Sequence, residues 1–240
     1  MRRLSILLIA ICISCKPAPR PVTKSAATAG PSVRATVVTV RTNVNPPDRT
    51  ITQTIAIAGD RARDTSEHDV WRLYDVKKQT VTFVDDIDKT IRTESFAELT
   101  KRRSATMAGA VAPFHPRPKL TRGTTKKTMQ GIDAEQWIIS AGTYKRELWI
   151  GEHPAIPRDL FAMMQASERI SSPLAPVMRD VDTALVAAKG FPLIDRSELP
   201  VGKAPVIVDR TVVSIVQKDV PESLVTLPRD YRDVTPKKPQ

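Results

Sequence analysis

The sequence predicts an α+β fold in which an antiparallel, curved β-sheet is covered on its concave face by helices. Three observations carry this prediction. Short β-prone runs between Trp71 and Ser95 are separated by charged, turn-like clusters, a second pair of strands meets at Gly142, and apolar residues recur at helical spacing after Pro157. The connections between the short strands are too brief for parallel crossovers, so we expect antiparallel pairing.

The meander at Trp71–Ser95 is the centre of the predicted sheet. Apolar and polar residues alternate within its runs, as in Trp71/Leu73 and Val81/Phe83. A period of two is typical of a half-buried strand, so one face of the meander needs a cover.

Further strands are predicted on both sides of this meander by alternation and by flanking turn residues. A Gly-Thr turn joins two of them into a hairpin. The predicted strands are Arg34–Thr42, Thr50–Ala58, the very basic Lys119–Gln130, Glu135–Ser140, Tyr144–Ile150, Phe191–Asp195 and Pro205–Gln217.

Two helical regions are predicted. Phe96–Ala112 is rich in Ala, Leu, Glu, Lys and Arg, and Ser95 with Glu98 has the spacing of a capping box. A second region begins at Pro157 and divides into two helices at Ser172-Pro173. Its second helix has an i, i+3, i+4, i+7 stripe of apolar residues, and Gly190 is a suitable residue to end it.

Seven large apolar residues near these helices are the candidates for lining a ligand cavity. Methionine adapts to irregular guests, which favours a cavity, whereas ordinary core packing of the helices against the two tryptophans is the alternative. The candidates are Phe161, Met163, Met164, Met178, Leu185, Trp137 and Trp149.

The N-terminus is typical of an export signal. Arg2 and Arg3 precede the apolar run Leu4–Ile13, which is too short to span a bilayer. The following Ser14-Cys15 resembles the bacterial lipoprotein signal, in which cleavage precedes a cysteine that is then acylated. We therefore expect residues 1–14 to be a signal peptide and Cys15 to carry lipid, with an ordinary secretory signal or an uncleaved anchor as alternatives.

The segments next to the predicted domain are Pro-rich. Residues 15–33 have no periodic apolar face, which predicts a disordered tether, and residues 235–240 are expected to fray. The domain is then 34–234. The two cysteines are Cys12 and Cys15, so the exported domain would contain no disulfide. Lipoproteins that are retained at the inner membrane usually have Asp directly after the acylated cysteine, whereas this sequence has Lys16 there. This difference indicates a periplasm-facing outer-membrane location.

The formal net charge of +11 allows nucleic-acid, membrane-surface or acidic protein partners. No binding motif or aromatic-basic interleaving supports nucleic acid. Arg102-Arg103 and Lys126-Lys127 are basic pairs that would suit anionic lipid head groups, with ordinary solvated faces as the alternative.

Motifs for catalysis, phosphate binding and metal binding are missing from the sequence. The three histidines are isolated, and two of them, His115 and His153, precede prolines. The run Asp85-Asp86-Ile87-Asp88 lacks the glycine and terminal glutamate of a calcium loop and predicts a hairpin turn. We therefore expect no catalytic activity, no cofactor and no metal site.

The order of these elements, together with several local phrases, resembles a family of uncharacterised exported bacterial proteins. That family is grouped with the lipoprotein-carrier half-barrels, the LolA/LolB-like fold. The phrases are the Tyr74–Thr93 meander, Gly131–Trp137 followed by Tyr144–Ile150, Gly190–Leu193, Val220–Leu224 and Leu227–Tyr231.

The resemblance implies an incomplete barrel whose concave side, capped by helices, holds acyl chains or a hydrophobic partner. The expected function is thus that of a lipid-anchored envelope protein that binds a hydrophobic ligand such as acyl chains or a lipoprotein, without catalysis. The alternative is a structural or assembly lipoprotein with a solid core that docks another envelope protein.

Overall fold

Twelve strands form a single sheet in the part of the chain that the computed structural model describes, residues 30–65, 69–109, 118–168, 182–184, 187–188, 190–199 and 204–236. The strands are β1 (Ser32–Asn45), β2 (Arg49–Ala58), β3 (Arg61–Asp64), β4 (Val70–Asp75), β5 (Thr80–Asp85), β6 (Thr90–Ser95), β7 (Lys119–Met129), β8 (Ile132–Ala141), β9 (Tyr144–Gly151), β10 (Phe191–Leu199), β11 (Val206–Pro221) and β12 (Arg232–Asp233). The helices with described bounds are α1 (Phe96–Gly109), α2 (Leu160–Ser167) and the short 3₁₀ turn Glu222–Leu224, and residues 182–184 and 187–188 are also helical.

The strand order is β12-β6-β5-β4-β3-β2-β1-β11-β10-β9-β8-β7. Neighbours pair antiparallel, except that β12 runs parallel to β6. The long β1–β11 ladder, from Ser32↔Pro221 to Asn45↔Ile207, joins the strands of the N-terminal half to those of the C-terminal half. The sheet is not closed, and β12 and β7 are its edges.

The predicted meander and hairpin are confirmed. β4, β5 and β6 pair antiparallel in sequence order, with Trp71 opposite Val84 and Phe83 opposite Arg92. β8 and β9 form the hairpin around Gly142, whose positive φ of 62° suits glycine in a tight turn. The sequence does not predict β3 or β12. These strands have four and two residues, which is too short for an alternation of apolar and polar residues to be recognised.

The capping box of α1 is also confirmed. The Ser95 backbone N–H donates to Glu98 Oε2 at 3.2 Å, and the Glu98 N–H donates to Ser95 Oγ at 3.2 Å. Residues 96–105 of this helix bury only Leu99 and Arg103, which are four apart and therefore lie on one face. Residues 96–105 of α1 thus pack along a thin stripe, and most of their side chains are in solvent.

The predicted fold class is wrong. Over half of the described residues are in strands and the helices are few, so the protein is mainly β and is not an α+β fold with helices covering a concave face. Eight residues of α2 extend about 12 Å, whereas twelve strands extend about 50 Å across a sheet, so α2 covers a small part of it.

The error came from the apolar residues after Pro157. Leu160, Phe161, Met163 and Met164 do lie on a helix, but α2 ends at Ser167 because Glu168 takes an extended backbone with ψ 144°. The split at Ser172-Pro173 and most of the second predicted helix lie outside the described residues.

Gly190 follows the helical residues 187–188, and its lack of a side chain also matters for the packing of β10. A Cβ built on Gly190 would lie 2.6 Å from the carbonyl oxygen of Gly151 and 2.9 Å from Ile150 Cγ2. Glycine therefore allows the start of β10 to approach the end of β9.

The main hydrophobic cluster extends across both halves of the sheet. It combines residues of β1 to β5 with residues of β8 to β11 and the apolar residues Leu160, Phe161, Met163, Met164 and Ala166 of α2. β9 is buried continuously from Leu148 to Gly151, so both of its faces are covered there. A smaller cluster of Trp71, Leu73 and Val84 lies under Leu227 and Tyr231 of the C-terminal segment.

Candidate ligand-binding site

A cavity of about 1170 Å³ lies between α2 and residues of β1 to β6, α1, β10 and β11. Its volume slightly exceeds the range of about 300–1000 Å³ that is usual for small-molecule pockets. Its apolar wall includes Val40, Ile55, Phe161, Met164, Phe191 and Val212. Phe161 of α2 meets Phe191 of β10 edge to face, with ring centroids 5.4 Å apart and planes at 80°, which joins the helix to the sheet.

Charged residues form the other part of the wall. Both signs are represented, so the cavity is not a purely hydrophobic one. The charged lining residues are Arg72, Arg92, Arg102, Arg103, Arg210, Asp64, Asp85, Glu168 and Asp195.

Asp195 is held by a buried arginine on the neighbouring strand. Arg146 donates from Nε to Oδ1 at 2.7 Å and from Nη2 to Oδ2 at 2.6 Å, and both side chains are 7% exposed. Burial lowers the pKa of Arg146, but the Asp195 carboxylate raises it, and the net direction is upward. Arg146 is therefore charged at every physiological pH, and Asp195 is its counter-ion.

Arg210 lies opposite Asp195 in the β10–β11 register. Its Nη1 is 3.7 Å from Asp195 Oδ2, longer than a charge-assisted hydrogen bond, and its side chain is 43% exposed. Val212 is two residues further along β11, so the two side chains lie on the same face of the strand. Arg210 thus places a guanidinium beside the apolar wall.

The C-terminal end of α2 supplies polar groups to the same cavity. Tyr74 Oη is 3.1 Å from Ser167 Oγ, and Ser167 donates to the Met164 carbonyl at 2.7 Å. Burial raises the pKa of Tyr74, so its hydroxyl keeps its proton. Because Ser167 donates its own proton to the Met164 carbonyl, Tyr74 is the donor in the contact with Ser167. This contact anchors the end of α2 to β4.

Arg103 fixes α2 from the other side. It binds Asp182 with two hydrogen bonds, at 2.7 Å and 3.0 Å, and donates from Nη1 to the Gln165 carbonyl. Arg103 is 5% exposed, so the expectation that Arg102-Arg103 meets a lipid surface as a pair is wrong for Arg103. Its role is to join α1 to α2.

Two polar side chains of this cavity wall make no hydrogen bond within the described part of the chain. Gln165 is 2% exposed, and its Oε1 has no partner. Glu168 follows directly after α2, and burial raises the pKa of its carboxyl, a rise that Arg210, Arg146 and Arg103 partly oppose. Both groups therefore have unused hydrogen-bonding capacity at the cavity.

The predicted cavity residues divide into three groups. Phe161 and Met164 line the cavity, whereas Met163, Trp137 and Trp149 lie in the main hydrophobic cluster. Met178 and Leu185 lie outside the described residues, as does Cys15, the predicted lipidation site.

The two tryptophans do not share one face of the sheet. Trp149 is opposite Gln136, whereas Trp137 is opposite Leu148, so their side chains point to opposite faces. Arg122 lies over Trp137 and Lys127 over Trp149, each with its cationic centre 5.7 Å from the ring centroid.

Sequence reasoning missed Gln165, Glu168, Asp195 and Arg210. A signal existed for Asp195, which follows Leu193 at the strand period of two and so places a carboxylate on the buried face of a short apolar run. Such a residue predicts a buried ion pair, although its partner strand is not evident from sequence.

No group of three or more His, Cys, Asp or Glu side chains among the described residues is arranged to hold a metal ion. The same part of the chain contains no helix that is both long and apolar enough to cross a membrane.

Comparison with known proteins gave no family. No family model matches the sequence, and no curated protein matches it. Two crystal structures of PNGF-II, in space groups C2 and P21, align with 86% and 85% of this chain at 9% identity, with TM-scores of 0.45 and 0.40. The chain spans about a third of the length of those proteins, with 31% and 32% covered. Similarity at this level establishes no shared function, and the resemblance to the lipoprotein-carrier half-barrels stays a prediction.

Proposed function

We propose that the protein is a non-enzymatic, lipid-anchored envelope protein that binds an acyl-chain ligand in the cavity beside α2. The single observation that carries the proposal is the cavity of about 1170 Å³ with Phe161, Met164, Phe191 and Val212 in its wall. The lipoprotein-like Ser14-Cys15 supports the anchor and a periplasm-facing outer-membrane location.

Burial of the acyl chain supplies the affinity in this proposal. Each buried methylene contributes about 0.8 kcal/mol, so about ten methylenes give a gross stabilisation of about 8 kcal/mol. That corresponds to a dissociation constant of about 1 µM before the costs of ordering the ligand are subtracted. No covalent step is needed for a function of this kind.

The experiment compares two doubly substituted proteins in the binding of a dansyl-labelled fatty acid. Met164→Trp with Val212→Trp narrows the cavity from the helix and from the sheet. Ile87→Trp with Ile138→Trp is the matched control, since these side chains are 71% and 38% exposed and do not line the cavity. We expect at least a tenfold loss of probe affinity in the first protein and no change in the second.

Lipid retained by the purified protein is measured by mass spectrometry in the same samples. Absence of both probe binding and retained lipid in the unmodified protein would rule out the proposal. Equal probe binding by all three proteins would place the acyl chain elsewhere.

A second candidate function is that of an assembly lipoprotein, and β7 is the observation that favours it. This edge strand is eleven residues long, its outer edge pairs with no described strand, and Lys126 and Lys127 are exposed. An acidic, extended segment of another envelope protein would complement such an edge. In cells, a photo-crosslinking residue at Thr125 would then capture one reproducible protein, and the same residue at Thr100 on the exposed side of α1 would not.

A further inference from the structure

The chemistry of the ligand's polar end follows from the charges around Arg210. We propose that Arg210 binds the anionic head group, a carboxylate or a phosphate, of an acyl ligand whose chain lies along the apolar wall. This inference deepens the proposed function and rests on it.

The first argument is that Asp195 is already occupied. Both of its carboxylate oxygens accept hydrogen bonds from Arg146, at 2.7 Å and 2.6 Å, whereas Arg210 remains at 3.7 Å. The Arg210 side chain makes no hydrogen bond to the part of the chain that the structure describes, although its backbone is paired in the sheet. Its N–H donors are therefore available on the cavity side, where Val212 and Phe191 form the neighbouring wall.

The second argument is a balance of charge. Arg146 is neutralised by Asp195 and Arg103 by Asp182, through two hydrogen bonds in each pair. The carboxyl group that remains near Arg210 is that of Glu168, whose side chain makes no hydrogen bond or ion pair with a described residue. Burial raises the pKa of Glu168, so this carboxyl is a weaker counter-ion for Arg210 than Asp195 is for Arg146.

The third argument is geometric. A guanidinium presents parallel N–H donors that match two oxygens of a carboxylate or phosphate. The Gln165 side chain, 2% exposed, lies in the wall of the same cavity, and only its amide N–H groups can donate to an anion, because its unpartnered Oε1 is an acceptor. The head group therefore meets the charge of Arg210, while the chain meets Phe161 and Met164.

The test uses ligands that share a chain and differ in the head group. Dodecanoate, dodecyl phosphate and dodecanol are measured by calorimetry against the unmodified protein, Arg210→Gln and Arg34→Gln. Arg34 is the matched control. Its Nη1 is 3.6 Å from Asp219 Oδ1, a long ion pair like that of Arg210, but its side chain is 63% exposed and does not line the cavity.

We expect the unmodified protein and Arg34→Gln to bind the two anionic ligands about tenfold more tightly than dodecanol, a modest factor because Arg210 is partly exposed to solvent. Arg210→Gln should lose that preference and keep its affinity for dodecanol. Tight binding of dodecanol with no preference for the anions, or a preference that survives Arg210→Gln, would overturn this inference alone.

Failure of all three ligands to bind would overturn the proposed function together with the inference. Acetate and inorganic phosphate are tested without a chain. If they bind as tightly as dodecanoate and dodecyl phosphate, the site takes a free anion and the acyl assignment is wrong.

Discussion

Arg146 on β9 and Asp195 on β10 form a two-point ion pair that is buried on both sides, with N–O distances of 2.7 Å and 2.6 Å. A buried pair of this kind repays the loss of hydration only when both partners are present. It therefore ties the two strands that lie beside the cavity.

The first prediction concerns this pair. Asp195→Asn removes the carboxylate that neutralises the buried Arg146, and the free energy of unfolding should fall by about 3–5 kcal/mol. Urea unfolding at neutral pH measures the change. Asp219→Asn removes a comparable partner from Arg34 at the surface, where the side chains are 63% and 69% exposed, and should cost less than about 1 kcal/mol. Equal losses in the two variants would contradict the assignment.

The second prediction concerns pH. Burial raises the folded-state pKa of Glu168 above its ordinary value of 4.5, so the folded protein binds a proton more readily than the unfolded chain does. The stabilisation from this proton is fully present below the unfolded pKa and is lost as pH rises to the folded pKa. The charged and titratable groups that face Glu168 are Arg103, Arg146, Arg210, Asp195 and Tyr74.

Glu168→Gln should remove this part of the pH dependence. Asp182 also has a raised pKa, through burial, and contributes a slope of the same sign in both proteins. The difference between the two unfolding curves, recorded in urea from acidic to weakly alkaline pH, isolates Glu168. We expect the variant to gain relative stability as pH rises, and a difference that is flat with pH would contradict the prediction.

The third prediction concerns the start of α1. Ser95→Ala removes the acceptor of the Glu98 N–H and should lower the free energy of unfolding by about 1 kcal/mol. Ser104→Ala is the control, because Ser104 is exposed within the helix and alanine is a better helix former. Thermal or urea unfolding measures the stability of both variants. If Ser104→Ala lowers the free energy of unfolding as much as Ser95→Ala does, the result would argue against the cap.

The fourth prediction concerns Gly190. Its added Cβ meets the backbone of Gly151 at 2.6 Å, and backbone cannot rotate away, so Gly190→Ala should destabilise the protein by about 1–3 kcal/mol. Gly30→Ala is the control, since a Cβ there has no atom within 4 Å. If both variants unfold at the same urea concentration, β9 and β10 do not approach as closely as described.

The fifth prediction concerns the anchor. When the full chain is expressed in bacteria supplied with an alkyne-labelled fatty acid, the protein should take up the label through Cys15. Cys15→Ser should abolish labelling, and Cys12→Ser should retain it, because Cys12 lies within the expected signal peptide. An unlabelled native protein, or label that persists in Cys15→Ser, would rule out lipidation at this position.

Strands were largely predictable from the sequence because alternation and turn residues are local signals. The Thr80–Asp85 strand and the turn at Gly142 could be read within a dozen residues, and so could the cap formed by Ser95 and Glu98. The proportions of sheet and helix could not be predicted from such local signals. The apolar run at Leu160–Ser167 has helical spacing whether a helix continues after it or ends there.

The candidate site was hidden for a different reason. Asp195 and Arg146 are 49 residues apart, and Arg103 and Asp182 are 79 apart, so no local pattern relates them. Only Phe161 and Met164 were recognisable as cavity residues, because apolar periodicity marks a buried helix face. These polar side chains can be recognised as one site only when the strand order is known, because the strand order places them next to one another.

The β1–β11 ladder has a consequence for how the chain reaches its native state. Ser32 pairs with Pro221, so the β1–β11 ladder cannot be completed until residue 221 has been synthesised. Pairing of such distant segments has a large loop-closure cost and is slow. The protein is proposed to cross a membrane before it folds. Because the β1–β11 ladder forms late, the two halves of the sheet stay apart during translocation.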